Sequence, residues 1–222
     1  MKYEIAKNSA QFVAGFDSAE RFLDWLEKNP RVLGFAMAGR SNVGKSSLIN
    51  ALLGKGTARV SNTPGRTREI NVFTFELMAL GKKVTGFPKL YLFDLPGYGF
   101  AEVSKEMTAR WQQLMDSFFH SVPTTVAVVN VQDARHPAQE SDLLFKDYFK
   151  KTDLEALIVF NKMDKLKTQK ERAQLDKIKP LLTKEFKNIR QMFFVSAETK
   201  KGLPEVEKVL IEFILLKKEA MK

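Results

Sequence analysis

The chain has no cysteine and two histidines among its 222 residues. Without thiols there can be no disulfide framework and no thiolate metal site, a composition that suits a reducing compartment. The two imidazoles, His120 and His136, lack companion ligands and read as structural or surface residues. Long apolar runs are missing too. The longest candidate, residues 209–216, is interrupted by Glu212 and falls short of the roughly 18 residues of a membrane span. It reads as the buried face of a helix, and no membrane partner is expected. The N-terminus, MKYEIAKNSAQF, lacks the apolar core of a signal peptide. Internal repeats, low-complexity tracts and linkers are also lacking, so a single domain over 1–222 is expected.

The composition that remains is 44% hydrophobic and 28% charged, which suits one α/β domain with a substantial core. The net charge is +10 and unevenly spread. Residues 146–222 hold 19 Lys/Arg against 12 Asp/Glu, so most of the excess sits in the last third. Such a surface favours polyanions, nucleic acid being the usual one, although a lysine-rich solvated surface gives the same count.

Short apolar runs alternate with longer amphipathic ones, the pattern of a mostly parallel sheet with helices on both faces. A leading helix is expected over 18–29, capped by Asp17 or Ser18 and burying Phe22, Leu23, Trp25 and Leu26. Residues 32–38 read as the first core strand, followed by a glycine-rich turn and a helix over 46–53. Residues 54–68 read as a polar loop, 70–77 as a half-exposed strand, and 90–93 as a second short strand. A loop over 98–104 and a helix over 105–120, with Trp111 in the core, follow. Then come a buried strand at 126–131 and a helix over 138–150 with Leu143, Leu144, Tyr148 and Phe149 inward. A strand at 156–160 leads to a basic helix over 168–186, interrupted near Pro180. A last strand at 192–195 and a closing helix over 203–217 complete the pattern.

Between the first of these strands and its helix stands Gly39-Arg40-Ser41-Asn42-Val43-Gly44-Lys45-Ser46, which matches G-x-x-x-x-G-K-[ST], with Ser47 following. Gly39 and Gly44 let the backbone curl so that successive N–H groups face one concavity, and the helix start adds its positive dipole end. Lys45 would reach the β- and γ-phosphates of a nucleotide, and the Ser46 hydroxyl would ligate Mg²⁺. Asn161-Lys162-Met163-Asp164 would read the base. The Asp164 carboxylate can accept from the N1–H and 2-amino group of guanine, a donor pair adenine lacks. Lys162 would cover the base plane, and Asn161 would tie this loop to the phosphate loop. Four letters are a weak signal alone; the first motif gives them weight.

Asp94-Leu95-Pro96-Gly97 follows the 90–93 strand. Asp94 would hold Mg²⁺ through a water, and the Gly97 N–H would bond the γ-phosphate, so that the next loop senses its presence. Within Thr63-Pro64-Gly65-Arg66-Thr67, Thr67 is the choice for the second protein ligand of Mg²⁺, with Thr63 its rival. Ser196-Ala197-Glu198, after the last strand, would offer backbone N–H groups to guanine O6, with Val195 beside them in the binding set. The five motifs appear in order, each after a strand or loop, so the carboxyl edge of one sheet can gather them. GTP is the nucleotide they fit.

The order of motifs resembles the Ras-like P-loop GTPase fold of the translation-factor class. Four stretches, GRSNVGKSSLIN, TPGRTREINVF, DLPGYGFAEVSKE and DARHPAQESD, closely resemble the EngB GTPases, also called YsxC or YihA, of the TrmE-Era-EngA-EngB-septin-like superfamily. The likeness runs from about Phe35 to Leu216. It implies a bacterial, cytoplasmic GTPase that hydrolyses GTP to GDP and assists assembly of the large ribosomal subunit, with Ser46 and Thr67 as Mg²⁺ ligands. A link to septum formation and cell division is a secondary implication. Asn161 stands where many members carry threonine, and residues 81–88 form a slightly enlarged turn.

Catalysis is expected to rest on Lys45, Asn42, Thr67 and Gly97. Many GTPases orient the attacking water with a glutamine directly after D-x-x-G. Tyr98 occupies that place, so slow unassisted hydrolysis is expected. Related GTPases with asparagine at the Asn42 position can bind K⁺ there, and a loop-supporting role for Asn42 is equally open. Arg66 or Arg68 could act as an internal cation, or meet an external anion. The rRNA contacts of a ribosomal role would fall on residues 165–190 and the loops read above, and a monomer is the default. A division regulator acting only through proteins, and an ATP-dependent enzyme with a fortuitous N-K-x-D, are the alternatives.

Overall fold

A computed structural model describes residues 3–59, 69–98, 105–186, 189 and 191–221. In chain order the elements are β1 (Tyr3–Ile5), β2 (Gln11–Phe16), α1 (Ala19–Glu27), β3 (Leu33–Gly39), α2 (Lys45–Leu53), β4 (Ile70–Phe75), β5 (Leu77–Ala79), β6 (Lys82–Lys83) and β7 (Leu90–Asp94). They continue with α3 (Lys105–Ser121), β8 (Val126–Asp133), α4 (Glu140–Phe149), β9 (Ala156–Asn161), α5 (Gln169–Glu185), β10 (Gln191–Phe194) and α6 (Leu203–Ala220). Seven strands form the main sheet in the order β10-β9-β8-β3-β7-β4-β2. Neighbours run parallel from β10 to β7, and β4 and β2 are antiparallel additions at one edge. The Ras-like α/β fold expected from the sequence is therefore present.

The central strands are buried along their whole length, as strands covered on both faces must be. Alternate residues then serve opposite cores. Leu33, Phe35 and Met37 of β3 join Leu90 and Leu92 of β7 beneath α2 and α6, with Leu48, Leu52, Leu210 and Ile214. Ala36 and Ala38 face the other way, with Tyr91 and Phe93, into an aromatic core closed by Phe22, Phe118, Phe119 and Phe149. A third, smaller core packs Ile158 and Phe160 of β9 against Leu175 and Leu182 of α5.

Several expectations are corrected. The strand at 32–38 is the centre of the sheet but the third strand of the chain, because β1 and β2 precede it. The strand expected over 70–77 divides at Glu76. Beyond it, β5 leaves the main sheet and pairs with β1 and β6 in a separate three-stranded sheet. Helix α5 is not interrupted at Pro180. It runs unbroken, because Leu175 and Leu182 anchor both halves in the third core while Pro180 lies exposed. Leu144 is 65% exposed and Leu23 39% exposed, so neither is inward. The buried stripe of α1 passes through Phe22, Trp25 and Leu26, and that of α4 through Phe145, Tyr148 and Phe149.

Candidate active site

The parallel strands end together, so residues far apart in sequence meet at one edge. Gly39 closes β3, Asp94 closes β7, Asp133 closes β8 and Asn161 closes β9, with Ser196 just beyond β10. The phosphate loop spans 40–44. Asn42 takes φ +62° and Gly44 φ +92°, which produces the inward curl. A Cβ on Gly44 would lie 2.4 Å from Asn161 Nδ2, so the position has neither the backbone freedom nor the space for a side chain. Helix α2 begins at Lys45, immediately behind the loop. Lys45 is 8% exposed and forms an ion pair with Asp94, itself 4% exposed. Each charge compensates the other in a site that would otherwise penalise both.

The D-x-x-G segment runs alongside the phosphate loop. Leu95 N–H donates to Met37 O at 3.0 Å, Tyr98 N–H to Gly39 O at 3.3 Å, and Ser41 N–H to Tyr98 O at 3.3 Å. A Cβ on Gly97 would fall 3.0 Å from Ser41 Oγ and 3.2 Å from Ser41 N, tight enough to push the two segments apart.

The N-K-x-D turn is stitched to the same loop. Asn161 Nδ2 donates to the carbonyl oxygens of Val43 at 3.2 Å and Gly44 at 3.3 Å, while its Oδ1 accepts from Ala197 N–H at 3.0 Å. Lys162, at φ +69°, sends its ammonium to Asn42 O and to Asp133 Oδ2 at 3.0 Å. Met163 N–H donates to Val195 O at 3.0 Å. Asp164 Oδ1 accepts from the Ser196 hydroxyl at 2.6 Å, and its Oδ2 lies 3.4 Å from Lys165 Nζ. Burial acts to raise the Asp164 carboxyl, but the hydrogen bonds from Ser196 and Lys165 outweigh it and leave the group below its ordinary value. The carboxylate is thus held charged, which the acceptor role expected of it requires.

Not every expected site residue projects toward this edge of the sheet. Arg40 turns away, its Nε donating to Asp142 Oδ2 at 2.9 Å and its Nη2 to His136 O at 2.9 Å. Leu95 and Val195 are fully buried, Val43 and Pro96 are buried, and Val43 and Val195 contribute carbonyls rather than side chains. Of the backbone N–H groups expected to meet guanine O6, that of Ser196 is used by Lys201 O at 3.0 Å and that of Ala197 by Asn161. Ser46 and Ser47 are half-buried in the first turn of α2. Gly65, Arg66, Thr67 and the rival Thr63 lie outside the described residues, as does Arg68.

Sequence reasoning did not reach the partners of two supports. Asp133 accepts from Arg135 Nε at 2.9 Å and Nη2 at 2.6 Å besides holding Lys162. Burial acts to raise the Asp133 carboxyl, yet the bonds from Arg135 and Lys162 bring it down to about 2. Asp142, with no exposed surface, gathers Arg40 and Tyr98. Both stand in the DARHPAQESD stretch, Asp133 opening it and Asp142 ending it, but the resemblance gave neither residue its partners.

Residues 34–162 match the family model of the 50S ribosome-binding GTPases. A probable GTP-binding protein EngB of Xylella fastidiosa strain 9a5c is 39% identical over 79% of this chain and 81% of its own length. This chain belongs to the EngB family. It binds guanine nucleotides and is a GTPase, as the family model and relatives establish. Among EngB relatives, that of Petrotoga mobilis is 41% identical, the match covering 81% of this chain and 85% of the relative. A crystal structure of a probable GTP-binding protein EngB shares the fold, with a TM-score of 0.59 and 23% identity over 83% of this chain and 98% of that one. Aquifex aeolicus Era bound to GDP and AlF₄⁻ gives a TM-score of 0.63 at 21% identity, over 82% of this chain and 57% of that one.

Proposed function

We propose that this GTPase is a nucleotide-driven switch that assists assembly of the large ribosomal subunit. The observation that carries the nucleotide part is the joint between the two motifs. Asn161 grips the carbonyls of Val43 and Gly44, and Ser196 orients Asp164, so base reader and phosphate loop form one rigid unit. Asp164 accepts from guanine N1–H and the 2-amino group, Lys162 covers the ring, and backbone amides of the stretch from Gly39 to Ser47, other than that of Ser41, cradle the phosphates. Lys45 exchanges its contact with Asp94 for the β- and γ-phosphate oxygens. Gly97 N–H meets the γ-phosphate.

Ser46 and Asp94 present hydroxyl and carboxylate oxygens, the hard donors that Mg²⁺ takes, and Thr67 is proposed as a further ligand. When bound, Mg²⁺ neutralises charge on the β- and γ-phosphate oxygens. Phosphoryl transfer is otherwise positioning and electrostatic stabilisation, which the fixed loop amides and Lys45 supply. Asn42 is proposed to hold K⁺ beside the same oxygens.

The ribosomal part is supported by the family description and by the charge of the last third. Lys165, Lys167, Lys170, Arg172 and Lys177 are exposed along α5 and the turn before it, a surface suited to rRNA phosphates. We propose that the chain works as one GTPase domain, a monomer, in the cytoplasm; no helix among the described residues is long and apolar enough to cross a membrane.

Two measurements test the proposal. Competition of GTP against ATP should favour GTP by about 10⁴ or more, as a site built on base hydrogen bonds does. GTP-loaded protein should co-sediment with large-subunit precursors better than GDP-loaded protein. Equal co-sedimentation in GTP, GDP and no nucleotide contradicts the switch, and recovery of division proteins without ribosomal particles favours a division regulator.

A further inference from the structure

Tyr98 follows the D-x-x-G motif directly, yet its ring faces the interior. It is 5% exposed and stacks on Phe145 of α4 with centroids 4.9 Å apart and planes 10° from parallel. Its hydroxyl donates to Asp142 Oδ1 at 2.9 Å and accepts from Asn130 Nδ2 at 2.8 Å. The second carboxylate oxygen of Asp142 accepts from Arg40 Nε at 2.9 Å and from Gln139 N–H at 3.1 Å. Behind Asn130, Gln132 Nε2 donates to Asn130 Oδ1 at 2.8 Å, and Gln132 Oε1 accepts from Ala138 N–H at 3.0 Å.

One buried network therefore joins the phosphate loop through Arg40, the D-x-x-G loop through Tyr98, β8 through Asn130 and Gln132, and the first turn of α4 through Asp142. Buried polar chains whose members are all paired hold a single geometry, because each broken bond leaves an uncompensated group in a low dielectric. Burial, then the nearby Asp142 charge, pushes the Tyr98 phenol well up, so it keeps the proton it donates.

What this network fixes is a backbone. Tyr98 is the residue after Gly97, and its own N–H and C=O bond Gly39 and Ser41 at 3.3 Å, long enough to be weak alone. The side-chain anchor supplements them. We infer that Tyr98 and Asp142 are positioning residues for Gly97, their hydrogen bond holding the D-x-x-G backbone beside the phosphate loop and so setting how strongly the site prefers GTP to GDP. The inference rests on the proposed meeting of Gly97 N–H with the γ-phosphate. GDP has no γ-phosphate, so loop position counts for one nucleotide only. A loosened loop spends less time in the competent position, and apparent GTP affinity falls by that fraction.

The test uses the full chain and two fluorescent probes, a non-hydrolysable GTP analogue and GDP, with Tyr98→Phe and Asp142→Asn beside the wild type. Tyr98→Phe deletes the hydroxyl and keeps the ring on Phe145. It should weaken the GTP analogue about five- to twentyfold and GDP by less than about twofold. Asp142→Asn keeps an acceptor for Tyr98 but loses the charge and one acceptor, and should shift the ratio in the same direction. It decides the matter if Tyr98→Phe does not fold. An unchanged ratio overturns the inference, as does a parallel loss for both probes, which is what a merely structural network would give. Competition with ATP on the wild type separates the two levels: loss of guanine preference there sinks the reading of the site, whereas intact preference with an unmoved ratio sinks this inference alone.

Discussion

The Ser196 hydroxyl stands 2.6 Å from Asp164 Oδ1, and its own oxygen accepts from Thr199 N–H at 3.0 Å. The carboxylate proposed to read the base is thus oriented by a residue 32 positions later, itself fixed by the turn that leads into α6. Removing the hydroxyl takes away the partner on Oδ1 and leaves the carboxylate with Lys165 at 3.4 Å. Ser196→Ala should therefore weaken GDP and GTP alike, by about five- to tenfold, the worth of one hydrogen bond to a charged or polar group. Titration calorimetry with each nucleotide checks this. A loss confined to GTP would mean that Ser196 acts at the phosphates instead.

The motifs were legible because their letters are local. The phosphate loop, D-x-x-G and N-K-x-D each need four to eight adjacent residues, and the strand before each is a plain apolar run. What brings the loops together was partly legible, as with the Asn161 bridge to the phosphate loop. The Arg40–Asp142 pair was not, because its partners are 102 residues apart and neither belongs to the other's motif. Arg40 was accordingly expected at the nucleotide. The strands β1 and β2 escaped for another reason: β1 has three residues, and the first three of β2 are exposed, so neither carries a burial period. Pro180 misled in the opposite sense, since its local cost is outweighed by core contacts on either side.

Acid stability should carry the signature of Asp133. Its carboxyl lies at about 2 in the folded chain, below the ordinary value of 3.8. A lowered folded value favours the native state at pH above the unfolded value, and the benefit is lost as pH falls from about 4 toward 2. Arg135 is 40% exposed on its side chain, which screens part of the pairing. Asp133→Asn should thus cost about 1–2 kcal/mol at pH 7, with the difference from wild type shrinking toward pH 2. Denaturant titrations across that range measure it. A difference that stayed constant with pH would assign the cost to packing rather than to charge.

Hydrolysis by the isolated protein should be slow. The hydroxyl of Tyr98 is committed to Asp142 and Asn130, and the ring to Phe145, so the side chain in the place of the usual glutamine is held in the interior. Single-turnover measurements should give roughly 10⁻⁴ to 10⁻² s⁻¹, the range of switch GTPases without an activator. Turnover at tens per second from purified protein alone would show that the chain carries its own water-orienting group.

The cation proposed at Asn42 makes a separate demand. Asn42 is exposed and sits at φ +62°, a conformation asparagine tolerates better than most residues and glycine better still. Asn42→Gly therefore removes the side-chain oxygen while sparing the loop's curvature and the carbonyl that Lys162 grips. If the side chain holds K⁺ against the β- and γ-phosphates, wild-type turnover should rise about tenfold or more in KCl over NaCl at equal ionic strength, since a fixed positive charge offsets the charge developing on the phosphoryl oxygens. The glycine variant should lose that difference and retain GDP affinity. Equal rates in the two salts would leave Asn42 as a loop residue alone. A salt difference that survives in the glycine variant would move the cation to another set of oxygens.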